Sequence, residues 1–273
     1  MRDRYAVIGN PIGHSRSPMI HGTFAKATGE DIEYIALEGP LDGFEGTVHD
    51  FRAEGGQGMN VTAPFKVQAF NMATDRLERA QLAGAANALK FDAGRIFADN
   101  FDGLGLVNDI QRNLGCPLHG RRVLLMGAGG AARGALLPFL EQHPAELVVA
   151  NRTVDKAQAL AQQFSARGNV RGCGYSELAN ARFDFVINAT SASLKGELPA
   201  VPTNVFGDDC VAYDMVYGKG LTPFLRQARD AGAALVADGV GMLVEQAAEA
   251  FAWWRGVRPD TRSVIERLSV PLR

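Results

Sequence analysis

Gly127-Ala128-Gly129-Gly130-Ala131-Ala132 forms a G-x-G-x-x-A turn directly after the apolar run Val123-Leu124-Leu125-Met126. Between a strand and a helix, each small residue has a physical task. Gly127 allows the tight turn, Gly129 lets the backbone approach a pyrophosphate, and Ala132 lets the helix pack close to the strand. The helix start then presents free N–H groups and the positive end of its dipole to a phosphate. Glycine turns also arise for steric reasons alone, so the context decides. A helical stretch follows from about Ala131 to Glu141, then a second buried strand at Glu146 to Ala150. The expected chemistry is dinucleotide binding, with Gly127, Ala128, Gly129, Gly130 and Ala131 at the phosphates.

The adenosine ribose should lie at the end of that second strand, where an NAD site usually places Asp or Glu. This chain has Asn151-Arg152-Thr153 there, with Lys156 four residues beyond Arg152 and so on the same face of the next helix. A carboxylate would repel a 2′-phosphate; Asn151 can donate to it, Arg152 can fork onto it, and Lys156 adds charge. The expected cofactor is therefore NADP(H). The competing reading is that Arg152 and Lys156 are merely solvated residues at a helix start.

Four further segments could face a small polar substrate. Ser15 and Ser17, in Asn10-Pro11-Ile12-Gly13-His14-Ser15-Arg16-Ser17-Pro18, open a helix and would make a carboxylate receptor. An ordinary N-cap with proline at N1 accounts for Ser17 but not for Ser15. In Asn60-Val61-Thr62-Ala63-Pro64-Phe65-Lys66, Thr62 could simply cap the helix started by Pro64, whereas Lys66 in a first turn opposes the dipole and points to function. Asn87 begins a strand, and Asp102, in Asp99-Asn100-Phe101-Asp102-Gly103, could be a helix cap.

Composition narrows the class. Of 273 residues, 47% are hydrophobic, ordinary for a packed enzyme of one large or two modest domains. Thirty acidic against twenty-eight basic residues leave no basic excess for nucleic acid or an anionic membrane, so the expected partner is a small molecule. No apolar run approaches the roughly 20 residues that span a bilayer. Met1-Arg2-Asp3-Arg4 reads as leading into a strand, not as a signal peptide. Cys116, Cys173 and Cys210 are odd in number and lack a C-x-x-C, which suggests a reducing cytoplasm. The five scattered histidines show no metal-ligand spacing, so no metal is expected. A G-x-S-x-G elbow and a G-x-x-x-x-G-K-[ST] loop are both missing.

The elements that must position these residues alternate, which indicates an α/β fold of two lobes. Strands are expected at Tyr5 to Ile8, Ile32 to Leu37 and Gly58 to Val61, with helices at Pro18 to about Ala27 and around Leu41 to Arg52. Two helices follow Pro64, then strands Ala88 to Phe91 and Arg95 to Ala98 joined by Asp92-Ala93-Gly94, and a connecting helix from Gly103 to Leu114. After the glycine turn come strands at Phe183 to Ile187, Val211 to Asp214 and Leu235 to Ala237, then helices at Met242 to Trp254 and near Arg262 to Leu268. The last two helices are expected to return to the first lobe. This predicts a substrate-binding α/β sandwich of residues 1–102 and 240–273, a Rossmann-type NADP lobe of residues 103–239, and a cleft between them.

Together these segments make the chain resemble the shikimate dehydrogenase family over nearly its whole length. The family's N-P-I-x-H-S-x-S-P is residues 10–18, its N-V-T-x-P-x-K residues 60–66, its G-A-G-G-A residues 127–131 and its N-R-T residues 151–153. Its G-A-x-N-T corresponds to Gly84-Ala85-Ala86-Asn87-Ala88, its Y-x-K-G-x-T-P-F to residues 217–224 and its G-x-G-M-L-V-x-Q-A-A to Gly239–Ala248. The resemblance implies reversible, NADP-dependent oxidation of the shikimate C3 hydroxyl to 3-dehydroshikimate, in aromatic amino acid biosynthesis; the expected assembly, which no motif fixes, is a monomer or homodimer. The resemblance also implies that Ser15 and Ser17 bind the carboxylate and that Thr62, Asn87, Asp102, Tyr217 and Gln246 hold ring hydroxyls or carboxylate. Lys66 with Asp102 would handle the proton, and Thr190, Met215 and Gly239 would lie along the cofactor. Gln246 fits physically as a polar residue on an otherwise apolar helix.

Two departures stand out. Where the family usually has D-N-T-D-G this chain has Phe101, and where G-A-x-N is usually followed by Thr it has Ala88. Both delete a hydroxyl near Asn87 and Asp102, and Phe101 adds bulk. The expectation is reduced efficiency on shikimate or a shift towards quinate or aminoshikimate, with Phe101→Thr raising shikimate turnover. A non-catalytic NADP-binding regulator is the other alternative, against which Lys66, Asp102, Asn87 and both serines argue.

Overall fold

The computed structural model describes residues 2–272; Met1, from the segment read as entering a strand, and Arg273, the end of the expected substrate-binding segment, lie outside the described residues. The chain divides into two compact units. One holds the described residues up to Gly105 with Val244–Val264, and the other holds Leu106–Leu243 with the described residues from Ile265 onward. The terminal residues thus group with the second unit, and Leu272 packs on its core.

In chain order the first unit runs β1 (Asp3–Gly9), α1 (Ser17–Thr28), β2 (Ile32–Glu38), α2 (Phe44–Ala53), β3 (Gly56–Val61), α3 (Lys66–Met72), β4 (Asp75–Arg76), α4 (Glu78–Ala83), β5 (Ala88–Asp92), β6 (Arg95–Asp99) and the start of α5 (Asp102–Asn108). Its sheet has the order β2-β1-β3-β5-β6-β4. β1 is parallel to β2 and β3, while β5 is antiparallel to β3 and β6. The antiparallel turn follows from local chemistry. Asp92 pairs with Arg95 across Ala93 and Gly94, whose φ angles of 46° and 80° are those of a primed hairpin turn. One face of the sheet is closed by Ile8, Phe44, Phe51, Met59, Phe65 and Leu89.

The second unit runs β7 (Arg122–Met126), α6 (Gly130–Leu140), β8 (Glu146–Ala150), α7 (Val154–Phe164), β9 (Val170–Cys173), β10 (Phe183–Asn188), β11 (Phe206–Asp214), α8 (Pro223–Asp230) and β12 (Leu235–Asp238). α9 (Val240–Arg255) and α10 (Arg262–Leu268) follow. All strand pairs are parallel, in the order β12-β11-β10-β7-β8-β9. This is the doubly wound dinucleotide-binding order, whose direction reverses between β7 and β10, where the crevice for a ligand opens.

Several local expectations need correction. The connecting helix is not one α-helix from Gly103 to Leu114: α5 ends at Asn108, and Asp109–Asn113 continue as a π-helical turn. The Leu114 N–H bonds to the Asp109 carbonyl, and the buried Asp109 carboxylate accepts from the Tyr213 hydroxyl at 2.7 Å. β9 was not expected. It is short and carries Arg171 and Gly172 instead of an apolar run; a Cβ on Gly172 would sit 2.3 Å from the Ala157 backbone, so the close approach of α7 requires glycine.

Candidate active site

The first unit gathers its polar groups around Lys66. Lys66 opens α3, and its Nζ lies 2.6 Å from Asp102 Oδ2. Asp102 Oδ1 accepts from Asn87 Nδ2 at 2.8 Å, and the same Nδ2 donates to Gln246 Oε1 at 3.1 Å. Asn87 Oδ1 accepts from the Phe101 amide at 2.8 Å. Four residues far apart in sequence therefore share one hydrogen-bonded network. Lys66 retains 33% of its side-chain exposure and Asp102 17%, so both can be reached from solvent while their pairing is partly shielded.

Asp102 is not a cap. Its own N–H is taken by Asn100 Oδ1 at 3.1 Å, and its carboxylate is spent on Lys66 and Asn87. Thr62 does not cap α3 either. Its carbonyl receives the Phe65 N–H in a turn before the helix, leaving the side chain at the carboxyl end of β3. Ser17 is the first residue of α1 rather than the residue before it, and its N–H donates to Ser15 Oγ at 3.3 Å. Ser15 therefore has a local role, accepting at the helix start with its own O–H still to give.

Behind these serines lies a buried group that sequence reasoning missed. Tyr34 donates to Asn60 Oδ1 at 2.7 Å, and Asn60 Nδ2 points to the Asn87 carbonyl at 3.4 Å. Burial pushes the Tyr34 phenol well above its usual range, with the Ser17 hydroxyl opposing. His21, one helical turn after Ser17, stacks on Tyr34 at 4.2 Å, and burial lowers its pKa to about 3. The signal was available: Asn60 is a polar residue inside the otherwise apolar Gly-Met-Asn-Val strand end.

The second unit carries the dinucleotide features. Gly127 has φ 105°, a conformation reserved for glycine, and a Cβ there would press on the Ala189 carbonyl. Gly129 and Gly130, at the start of α6, have open space where a Cβ would stand, and both are exposed, as is Ala131; Ala128 is half-buried. Phosphates therefore have free backbone N–H groups and room to approach. Ala132 is fully buried against the sheet, as a close-packed third small residue should be.

Asn151, Arg152 and Thr153 form the turn after β8, and Lys156 lies in the first turn of α7. Arg152 precedes the helix, so it and Lys156 do not share a helical face; both are exposed at the carboxyl end of β8 nonetheless. Asn151 Nδ2 donates one of its two amide protons to the Thr153 carbonyl at 2.9 Å, which fixes the side chain within the turn beside Arg152.

Thr190, Met215 and Gly239 sit at the carboxyl ends of β10, β11 and β12, where a second missed network holds them. Asp214, buried, accepts from Ser193 Oγ at 2.5 Å and Thr222 Oγ1 at 2.7 Å, while Asn188 Oδ1 accepts from Thr190 Oγ1 at 2.7 Å. Burial raises the Asp214 pKa, opposed by Ser193 and Thr222. A Cβ on Gly239 would lie 2.3 Å from the Met215 carbonyl, so those loops touch backbone to backbone. Tyr217, 45% exposed, precedes Gly218, whose N–H is held by Asp238 at 3.2 Å. The clue to this network was a polar residue closing each apolar strand, Asn188 and Asp214.

A doubly wound unit with a glycine-rich phosphate turn, joined to an α/β unit with a half-exposed lysine–carboxylate pair, defines a class: dinucleotide-dependent oxidoreductases of two units. Family models agree, matching a shikimate dehydrogenase substrate binding domain at residues 7–89, a shikimate/quinate 5-dehydrogenase at 109–195 and a shikimate 5′-dehydrogenase C-terminal domain at 239–268. The chain belongs to the shikimate dehydrogenase family. It is 56% identical over 98% of both chains to a shikimate dehydrogenase (NADP+) of Nitrosospira multiformis. Among solved structures, an Ael1 enzyme from Pseudomonas putida is 62% identical, with TM-score 0.96 over 99% of this chain and 100% of that one. A shikimate 5-dehydrogenase of Thermus thermophilus, in complex with NADP(H) and shikimate, is 31% identical with TM-score 0.85 over 97% of each chain.

Proposed function

We propose that this chain interconverts shikimate and 3-dehydroshikimate with NADP(H), serving aromatic amino acid biosynthesis. The observation that carries the reading is the Lys66–Asp102–Asn87–Gln246 network in a chain whose second unit has the glycine turn, Arg152 and Lys156. Gly127, Ala128, Gly129, Gly130 and Ala131 would hold the pyrophosphate. Arg152 and Lys156, with Asn151 and Thr153 shaping the turn, would hold the 2′-phosphate, and Thr190, Met215 and Gly239 would line the rest. When bound, NADP+ supplies the acceptor for the hydride that leaves C3.

The chain's own part is to bind the acid and move the proton. Ser15 and Ser17 at the start of α1 offer hydroxyls and helix N–H groups to the carboxylate. Thr62, Gln246 and Tyr217 are proposed to hold ring hydroxyls. Both Asn87 amide protons are engaged by Asp102 and Gln246, so Asn87 has only acceptor capacity left for a ligand. In the reducing direction the Lys66 ammonium gives its proton to the C3 oxygen while Asp102 fixes its position; in oxidation the proton returns along the same path.

The proposed setting is a cytoplasmic monomer or homodimer with no nucleic-acid or membrane partner. The three cysteines are free, the formal net charge is −2, and among the described residues no helix is long and apolar enough to cross a membrane. The test is nicotinamide absorbance with shikimate and quinate, each with NADP+ and NAD+. Shikimate with NADP+ should give the largest kcat/KM; quinate with either cofactor exceeding it would replace shikimate as the substrate.

A further inference from the structure

Phe101 is 3% exposed and lies in one buried cluster with Tyr5, Ala88, Ala250 and Trp254. The Trp253 ring meets it edge-on at 5.6 Å, and the Arg79 guanidinium covers it at 5.1 Å while pairing with buried Asp99. A side chain so enclosed presents almost no surface for a substrate to touch. Its bulk is used in the core, and Ala88, fully buried in the same cluster, leaves the room it occupies.

What Phe101 presents to the site is its backbone. Its N–H donates to Asn87 Oδ1 at 2.8 Å, while Asn87 Nδ2 donates to Asp102 and Gln246. A primary amide has one accepting and one donating end. Turned over, Asn87 would aim its oxygen at a carboxylate and a carbonyl oxygen, and its NH2 at an N–H. The Phe101 N–H therefore selects the orientation in which all three partners are satisfied, and the caged ring keeps that N–H in place.

We propose that Phe101 is a positioning residue, with its ring locking the amide that orients Asn87 and, through Asn87, the Asp102 carboxylate that partners Lys66. This rests on the proposed function and reverses the expectation that Phe101→Thr would raise turnover. Emptying the cage lets the segment before Asp102 shift, and displacements near 1 Å at a reacting pair cost roughly a hundredfold in rate.

The experiment compares wild type, Phe101→Thr, Phe101→Leu and the double variant Phe101→Thr/Ala88→Thr. Shikimate kinetics are read beside a ligand-free measurement, hydrogen exchange of the Asn87 side-chain amide by NMR, assigned by its loss in Asn87→Ala. Phe101→Thr should lower kcat about tenfold to a hundredfold with the shikimate KM little changed, and should speed Asn87 amide exchange. Phe101→Leu, which keeps the cage filled, should retain most of both properties, and restoring a side-chain branch at position 88 should recover part of the loss.

Raised kcat/KM in Phe101→Thr, or a changed preference between shikimate and quinate with Asn87 exchange unaltered, would make Phe101 a substrate wall and overturn the proposal. Should wild type fail to oxidise shikimate, the functional reading falls, yet the exchange measurement still decides on positioning. Unaltered Asn87 exchange in a folded Phe101→Thr variant refutes it whatever the activity.

Discussion

Lys66 and His21 show how differently two titratable side chains are used in the same unit. Lys66 is half-exposed and paired at 2.6 Å with Asp102, an arrangement that can exchange a proton with a ligand. His21 is enclosed by Phe24, Tyr34, Phe251 and Trp254, and burial, opposed by the nearby Asn60 side chain, lowers its pKa to about 3. Its unfolded value is about 6.5. The folded state therefore refuses a proton that the unfolded state accepts, so stability is full above pH 6.5 and falls as pH drops towards 3. The slope is about 1.4 kcal/mol per pH unit within that window. Urea melts at pH 7 and pH 5 should show this loss in wild type and a smaller one in His21→Phe; equal losses would remove His21 from acid sensitivity. On the cofactor side, Arg152→Ala should weaken NADP+ about tenfold to a hundredfold, the worth of one charged hydrogen bond, and leave NAD+ binding unchanged in titration calorimetry. The catalytic and 2′-phosphate candidates were legible as residue types at motif spacing. Of the supporting set, Asn60 left a trace as a polar residue in an apolar strand end, whereas Tyr34 and Asn100 are recognised only by the partners that folding brings to them, Asn60 and the Asp102 N–H.

Strands and helices were legible wherever their apolar pattern was long enough. β8 and α10 have the bounds that the sequence suggests; β7 begins one residue early and ends as expected at Met126, and α6 is displaced by one residue at each end. What failed to register were elements set by tertiary contact. β4 is two residues long and exists through its pairing with β6. The π turn at Asp109 depends on a buried carboxylate bonded to Tyr213, more than a hundred residues away. β9 is shaped by the approach of α7 to Gly172, and Gly172→Ala should therefore destabilise the second unit by about 1–3 kcal/mol, the usual penalty for overpacking. Thermal melts with and without NADP+ would check this, and an unchanged midpoint would show that α7 can move aside. The expected caps also differ: Arg16 and Phe65 stand at the N-caps of α1 and α3, and neither helix start has a side-chain cap hydrogen bond.

Across the whole chain, the family models and the two units divide the candidate residues in the same way. Residues 7–89 match a substrate-binding model, and this stretch supplies Ser15, Ser17, Thr62, Lys66 and Asn87. The doubly wound unit supplies the glycine turn and the basic pair after β8. Each unit has its own packed core, so a substitution at the Lys66–Asp102 pair should leave the second unit intact. That independence gives the central claim its most direct test, NADPH formation from shikimate by wild type and Lys66→Ala, with NADP+ affinity measured in parallel. Turnover should fall by about 10²–10⁴ while NADP+ binds as before. Wild-type turnover in Lys66→Ala would contradict the account.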